Sequence, residues 1–419
     1  MTKKLVALFM ALCLVLGASA AMAEKLTVTL WDDNFNGNAL RAAAEDYKAN
    51  VDPDFELEIN LVSGSSDVEQ SVTTAGSSGD YSNLSDIVLF QDHYIQQFVL
   101  NYPDAWKDLE DAGINWDDFG AEKLSYSTVE GKHYGVPVDN GTAIMAYRVD
   151  ILEECGYTID DMKGITWDRF LEIGKEVYAK TGKALLSMDG SGNDLPYMML
   201  QAEGKSQFKD GVPFLSENED LVKIVGVITE MVKEHVLILA NDWTGYTNET
   251  IQQDQVAGVL NGNWIIPTMS QVEANSGKWA ITTLPTLTGA EGYAANGGSS
   301  LYITANCQNP ELAKKFLAYT FGGSTTTYDN ALRNGGVIGC CLSAAKSAVY
   351  QEGVPFFNGQ PVYSFIVEMG AHVPIVEQND FHYTCRTAVG NAIQDVLAGA
   401  DVKEALKNRE EELRFAMGL

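Results

Sequence analysis

Residues 26–40 read LTVTLWDDNFNGNAL, and the spacing of their apolar side chains decides the fold. Leu26, Val28 and Leu30 alternate with threonines, the period-two pattern of a strand with one buried face, and the run ends at Trp31 in a polar loop, Asp32 to Gly37. Ala39 to Lys48 has helical composition, Pro53 marks a connection, and Glu56 to Val62 alternates again. The chain therefore opens β-α-β. Asp67 to Ala75 suits a second helix, and Asp86 to Phe90 is a continuous apolar run of the kind buried on both faces of a parallel sheet. That run ends in a polar-aromatic loop, Gln91 to Tyr94. Ligands of open α/β sheets sit outside the carboxyl ends of the strands, and both loops lie at such ends.

Further along, a strand through Ala143 to Tyr147 precedes a helix entered at Thr166 and closed at Gly182. The α/β pattern has restarted. Asn309-Pro310-Glu311 sets an N-cap, a first-position proline and a first-turn acid in order, and a last helix starts at Asp401. There is no repeat, low-complexity tract or long linker, so two α/β units joined by several crossing segments are expected. The 419 residues are enough for two cores of ordinary domain size.

The formal net charge is −29, spread along the chain, so the surface repels phosphate backbones and nucleic acid is a poor partner. Residues 1–23 read as a signal peptide: Lys3 and Lys4 precede an apolar run, Leu5 to Ala20, and a small-residue cleavage site ends at Ala23. The protein is thus expected outside the cytoplasm. Beyond Cys13 there are five cysteines, Cys155, Cys307, Cys340, Cys341 and Cys385, with no CxxC pair. Cys340 and Cys341 are not expected to bond, because consecutive Cα atoms lie closer than disulfide geometry favours.

Catalytic signatures are lacking: no GxSxG elbow, no HExxH and no Walker-type glycine loop. The five histidines contain no pair at helical ligand spacing, and Asp189 to Asp194 reads as a turn rather than a calcium loop, since glycine and glutamate are missing where calcium binding needs them. No cofactor or metal is expected. What stands out is aromatic residues beside amides and carboxylates, at Asp92-His93-Tyr94, Asp242-Trp243, Asn261 to Trp264 and Asp380 to Tyr383. Sugars present hydroxyls that need oriented polar partners and C–H faces that pack on rings. A tryptophan in such a cluster is nonetheless more often core.

Seven stretches, in order, resemble the bacterial sugar-binding proteins of ABC transporters, the group that includes maltose-binding protein. They are LTVTLWDDNFNGNAL, SDIVLFQDHYIQQF, EGKHYGVPVDNGTAIMAYRVDIL, ITWDRFLEIGKEVYAKTGKALL, AGVLNGNWIIPTM, NPELAKKFLAYTF and NDFHYTCRTAVGNAIQDVLAG. The resemblance implies a type II periplasmic-binding-protein fold: two discontinuous α/β lobes, residues 24–138 with 286–321 and residues 139–285 with 322–419. It places three hinge crossovers near Val138 to Thr142, near Ile281 to Pro285 and after Tyr319. Carried over residue by residue, it implies sugar contacts at Asp33 and Asn34, at Asp92, His93 and Tyr94, at Asp139 and Asn140, and at Tyr197, Trp264, His382, Tyr383 and Arg386. Trp243 joins them on its own aromatic-acidic context. His382 stands where the family has a stacking tryptophan, so a ligand other than maltose is expected. The implied protein is a monomer that carries a carbohydrate to ABC permease transmembrane subunits and does no chemistry on it. Two other readings stay open on the residues: a related binder of a non-sugar solute, and a secreted hydrolase with a carboxylate pair.

Overall fold

The computed structural model describes residues 25–190 and 194–419; the signal-peptide reading concerns residues outside the described ones. Strand β1 (Lys25–Trp31) leads through a π-helical turn, Asp33–Gly37, into α1 (Asn38–Asn50), and β2 (Glu56–Val62) then pairs parallel to β1 along its whole length. Next come α2 (Ser65–Ser78), β3 (Ile87–Gln91), α3 (Asp92–Asn101), α4 (Ala121–Ser127) and β4 (Gly135–Asp139). Both expected polar loops are instead helix starts. Asp33 and Asp92 each sit in a first turn, where the partial positive charge of the helix N-terminus favours a carboxylate.

The second unit contains β5 (Ala143–Arg148), α5 (Trp167–Thr181), β6 (Leu186–Met188), α6 (Asp194–Ala202) and α7 (Glu219–Lys233). It continues through β7 (Leu237–Leu239), β8 (Gly258–Gly262) and β9 (Trp279–Thr282). The Thr166 hydroxyl caps α5 by accepting from Arg169 N at 3.1 Å, and Gly182 ends it in the left-handed conformation, φ 73°. The chain then returns to the first unit as β10 (Ser299–Ile303) and α8 (Pro310–Tyr319). Strand β10 inserts antiparallel between β3 and β4, giving the order β2-β1-β3-β10-β4. In the second unit β8-β5-β9 form an antiparallel sheet, and β6 pairs parallel to β7.

Each sheet separates two apolar layers. Ile87 and Leu89 face the core under α1, while Val88 and Phe90 face α2 and α3. Likewise Ile144 and Ala146 of β5 pack on one side, and Ala143, Met145 and Tyr147 on the other.

Three segments join the units: Asn140 to Thr142, residues 283–298, and a third that the sequence reading misplaces. Helix α9 (Thr325–Gly335) follows α8 and packs on α1, burying Tyr328, Ala331 and Leu332, so it belongs to the first lobe rather than to the second. Only after it does the chain cross, because Gln360 exchanges hydrogen bonds with the backbone of Ile281 at 2.9 Å and Gly277 N donates to Phe356 O. Helices α10 (Val362–Ala371), α11 (His382–Leu397) and α12 (Val402–Ala416) close the chain. The five described cysteines are free, and the Cys341 thiol donates to Asp118 at 3.1 Å.

Candidate functional site

Between the lobes lies a cleft of about 670 Å³. Its first-lobe wall comes from the carboxyl ends of β1, β3 and β4, which supply Trp31 and Asp32, Gln91, and Asp139. The second lobe contributes Asp194, Trp243, Trp264, Tyr383 and Arg386, and the crossing segment supplies Asn296 to Gly298 as floor. Gly298 is required there: its φ is +103°, and a Cβ would come within 2.4 Å of Asp92 Oδ2.

The polar residues of the cleft form one network centred on Asn296. Its carbonyl accepts from Trp264 Nε1 at 2.8 Å, and its amide donates to Asp194 Oδ2 and Asn261 Oδ1, both at 2.8 Å. Arg386 pairs with Asp194, donates to Asn296 Oδ1 at 3.2 Å, and lies 5.0 and 5.1 Å from the ring centres of Tyr197 and Tyr383. Burial pushes this guanidinium down to about 10, which leaves it charged at neutral pH. The Trp264 indole is fixed edge-on by its N–H bond and stands 5.6 Å from Trp243, which is 46% exposed. Gly262 allows that placement, since a Cβ there would meet Trp264 Nε1 at 2.2 Å. Across the cleft Asp139 is buried, with Oδ1 unpartnered within the protein; burial raises it to about 6, with the Lys123 ammonium opposing the shift. The arrangement offers aromatic faces, a buried carboxylate with one oxygen unpartnered within the protein and an oriented guanidinium. It offers no nucleophile beside a base, and among the described residues no three His, Cys, Asp or Glu side chains converge as metal ligands.

Of the residues expected here, Asp139, Trp243, Trp264, Tyr383 and Arg386 line the cleft. The others do not. Asp33 turns outward to Arg41, and its neighbour Asp32 takes the cleft position because Asp32 adopts φ 60° and redirects the chain. The side chain of Asn34 lies outside the described residues. Asp92 is buried against Lys123, with Nζ 2.5 Å away, and against the Ser300 hydroxyl at 3.2 Å. Asn140 donates to Thr142 Oγ1 at 3.1 Å within the first crossing. His93, Tyr197 and His382 pack on one another beside the cleft, where the lobes touch, and Tyr94 stacks on Tyr383. Sequence reasoning missed Trp31, Asp32, Asp194 and Asn296. Their signals were present, in the aromatic end of the first strand, the turn after Asp189 and the Gly297-Gly298 pair, but nothing in the sequence brings those points together.

Two lobes around a cleft of rings, carboxylates and one guanidinium define a protein that encloses a small polar solute. The chain belongs to the bacterial extracellular solute-binding protein family, whose model matches residues 42–358. It is 34% identical to the lactose-binding protein of Rhizobium radiobacter over 95% of this chain and 94% of that one. Among solved structures it is similar to the sugar-binding protein MalE of Xanthomonas citri, with TM-score 0.75, 17% identity, and coverage of 93% of this chain and 96% of that one. It is also similar to the ABC transporter associated binding protein of B. animalis subsp. lactis Bl-04 in complex with beta-1,6-galactobiose, with TM-score 0.68, 19% identity, and coverage of 93% and 97%. These likenesses establish the type II periplasmic-binding-protein fold. Among the described residues no helix is long and apolar enough to cross a membrane.

Proposed function

We propose that this protein is the exported sugar-binding component of an ABC importer, that its ligand is a neutral short oligosaccharide, and that lactose and related galactosides are the first candidates. The observation that carries the reading is the pairing, in one interlobe cleft, of the fixed Trp264 indole with a charged Arg386 and the Asp139 carboxylate, whose Oδ1 has no partner within the protein. Rings pack on the C–H face of a sugar while the charged groups take its hydroxyls. The near full-length likeness to a lactose-binding protein supports the galactoside choice. Ligand held between the lobes favours the closed form by touching both, and that form is what a permease would recognise. The chain acts as a monomer, with residues 1–23 removed on export.

A thermal-shift panel of mono- to tetrasaccharides tests this: a bound sugar at 100 times its Kd stabilises the protein by about 2.7 kcal/mol. If no sugar shifts the transition, the reading is wrong. Trp264→Ala is expected to lower affinity by at least tenfold with little change in melting temperature, as measured by calorimetric titration. A core tryptophan would instead cost ~3–5 kcal/mol of stability, so an early-melting variant with full affinity would remove Trp264 from the site.

A further inference from the structure

The cleft lining is unevenly distributed between the two faces of the first sheet. Its lining reaches Phe35 and Gly335 on the face of the first sheet that carries α1 and α9, and Pro267 and Gln271 in the second lobe. On the other face, which carries α2 and α3, the lining stops at Gln91, Tyr383 and Arg386. Beyond that point α3 and α4 of the first lobe meet α6 and α11 of the second. His93 stacks on His382 with ring centres 4.3 Å apart and planes 22° from parallel, and Tyr94 stacks on Tyr383 at 4.6 Å and 20°. Tyr197 OH lies 3.1 Å from His93 Nε2, and Gln201 Nε2 donates to Glu122 Oε1 at 3.2 Å. A sugar ring between two facing rings needs about 7–8 Å, twice the ~3.5–4.0 Å contact distance, so no saccharide passes between these pairs while the lobes are closed.

We propose that this ring seam is a length stop: His93, His382, Tyr94 and Tyr383 close the cleft at one end, so the protein holds a short oligosaccharide by one terminus and rejects extension past it. The inference rests on the carbohydrate reading above. The stopped terminus abuts Tyr383 and Arg386, and the other points out past Phe35 and Gly335. The four rings are specificity-determining residues because they set which chain end fits.

The test is calorimetric titration of the full chain with lactose and with two trisaccharides, one lengthening lactose by a galactosyl unit at the non-reducing end and one by a glucosyl unit at the reducing end. One trisaccharide is expected to bind at least tenfold more weakly than lactose, and the other within threefold of it. In His93→Ala/His382→Ala the ratio of the disfavoured trisaccharide to lactose recovers at least fivefold. Tyr94→Ala, which removes a half-buried ring at the outer edge of the seam, gives the same recovery if the double variant does not fold. Equal binding of both trisaccharides to the unaltered protein overturns the stop, as does a ratio unchanged in a folded seam variant. Failure of lactose itself to bind removes the galactoside reading and this inference with it, and it shows before any chain length is compared.

Discussion

Lys123→Ala is expected to destabilise the first lobe by ~3–5 kcal/mol, the cost of leaving one member of a buried ion pair without its partner. Lys123 and Asp92 are both fully shielded from solvent; Nζ lies 2.5 Å from the carboxylate and donates to Ser299 O at 2.9 Å. Burial alone would drive the amine toward its neutral form, but the carboxylates of Asp92 and Asp139 outweigh it and hold the ammonium charged. The pair joins α4 to the starts of α3 and β10, so its loss loosens the wall from which Gln91 and Asp139 project. Domains rarely exceed ~5–15 kcal/mol of total stability, and a loss of this size shifts a urea transition far outside error. Lys123→Met in an Asp92→Asn background removes both charges and is expected to recover most of the loss. A single variant within 1 kcal/mol of the unaltered protein would mean that the pair is not what holds this wall.

Asp92 also shows where sequence reading stops. The apolar run before it is plain in the sequence, and β3 forms one residue from where the pattern puts it. That its carboxylate is buried depends on Lys123, 31 positions away, and no local pattern encodes that meeting. Helix α9 is a parallel case. Tyr328, Ala331 and Leu332 make an apolar stripe that predicts burial of one face, but a stripe does not say which lobe it covers, and α1 was the partner. The exchange of Asp32 for Asp33 turns on one left-handed backbone angle at a residue that is not glycine. By contrast Trp264, Tyr383 and Arg386 were legible because each belongs to a family-like segment whose strand or helix start fixes its direction. The seam residues were legible as members of family-like segments, but their stacking across the lobes was not, since segment likeness carries no information on which side chains meet.

Lobe closure is expected to respond to pH through the seam, with a slope that single substitutions change in opposite directions. His93 faces Lys123 and Tyr126 from α4, Tyr197 from α6, and His382, Tyr383 and Arg386 from α11, so burial and neighbouring cations hold it well below its usual 6.5. Burial takes His382 to about 3. Glu122 accepts from Tyr126 OH at 2.5 Å and from Gln201 of the other lobe, and burial raises it from 4.5 to about 7. Where parting of the lobes exposes all three, each titrates in the open form at its ordinary value. Below about 6.5 each imidazole takes a proton in the open form and not in the closed one, so the closed form loses stability as pH falls. Glu122 works the other way: between about 7 and 4.5 it takes a proton in the closed form and not in the open one, so its contribution to closure grows as pH falls. Asp139 is held by Lys123 and Ser299 of its own lobe, contacts that do not cross the seam. From pH 6 to 5 the open form therefore holds close to one extra proton, and affinity for a sugar that requires closure falls about tenfold per pH unit. Glu122→Gln leaves the two imidazoles unopposed and steepens the fall to roughly a hundredfold per unit, whereas His93→Phe leaves one imidazole against Glu122 and flattens it. Titration calorimetry at pH 5.0, 5.5 and 6.0, with a fluorescence pair across the lobes to read closure, distinguishes the three slopes. Identical slopes in all three proteins would show that His93, His382 and Glu122 stay buried when the lobes part, and that the seam does not open with the cleft.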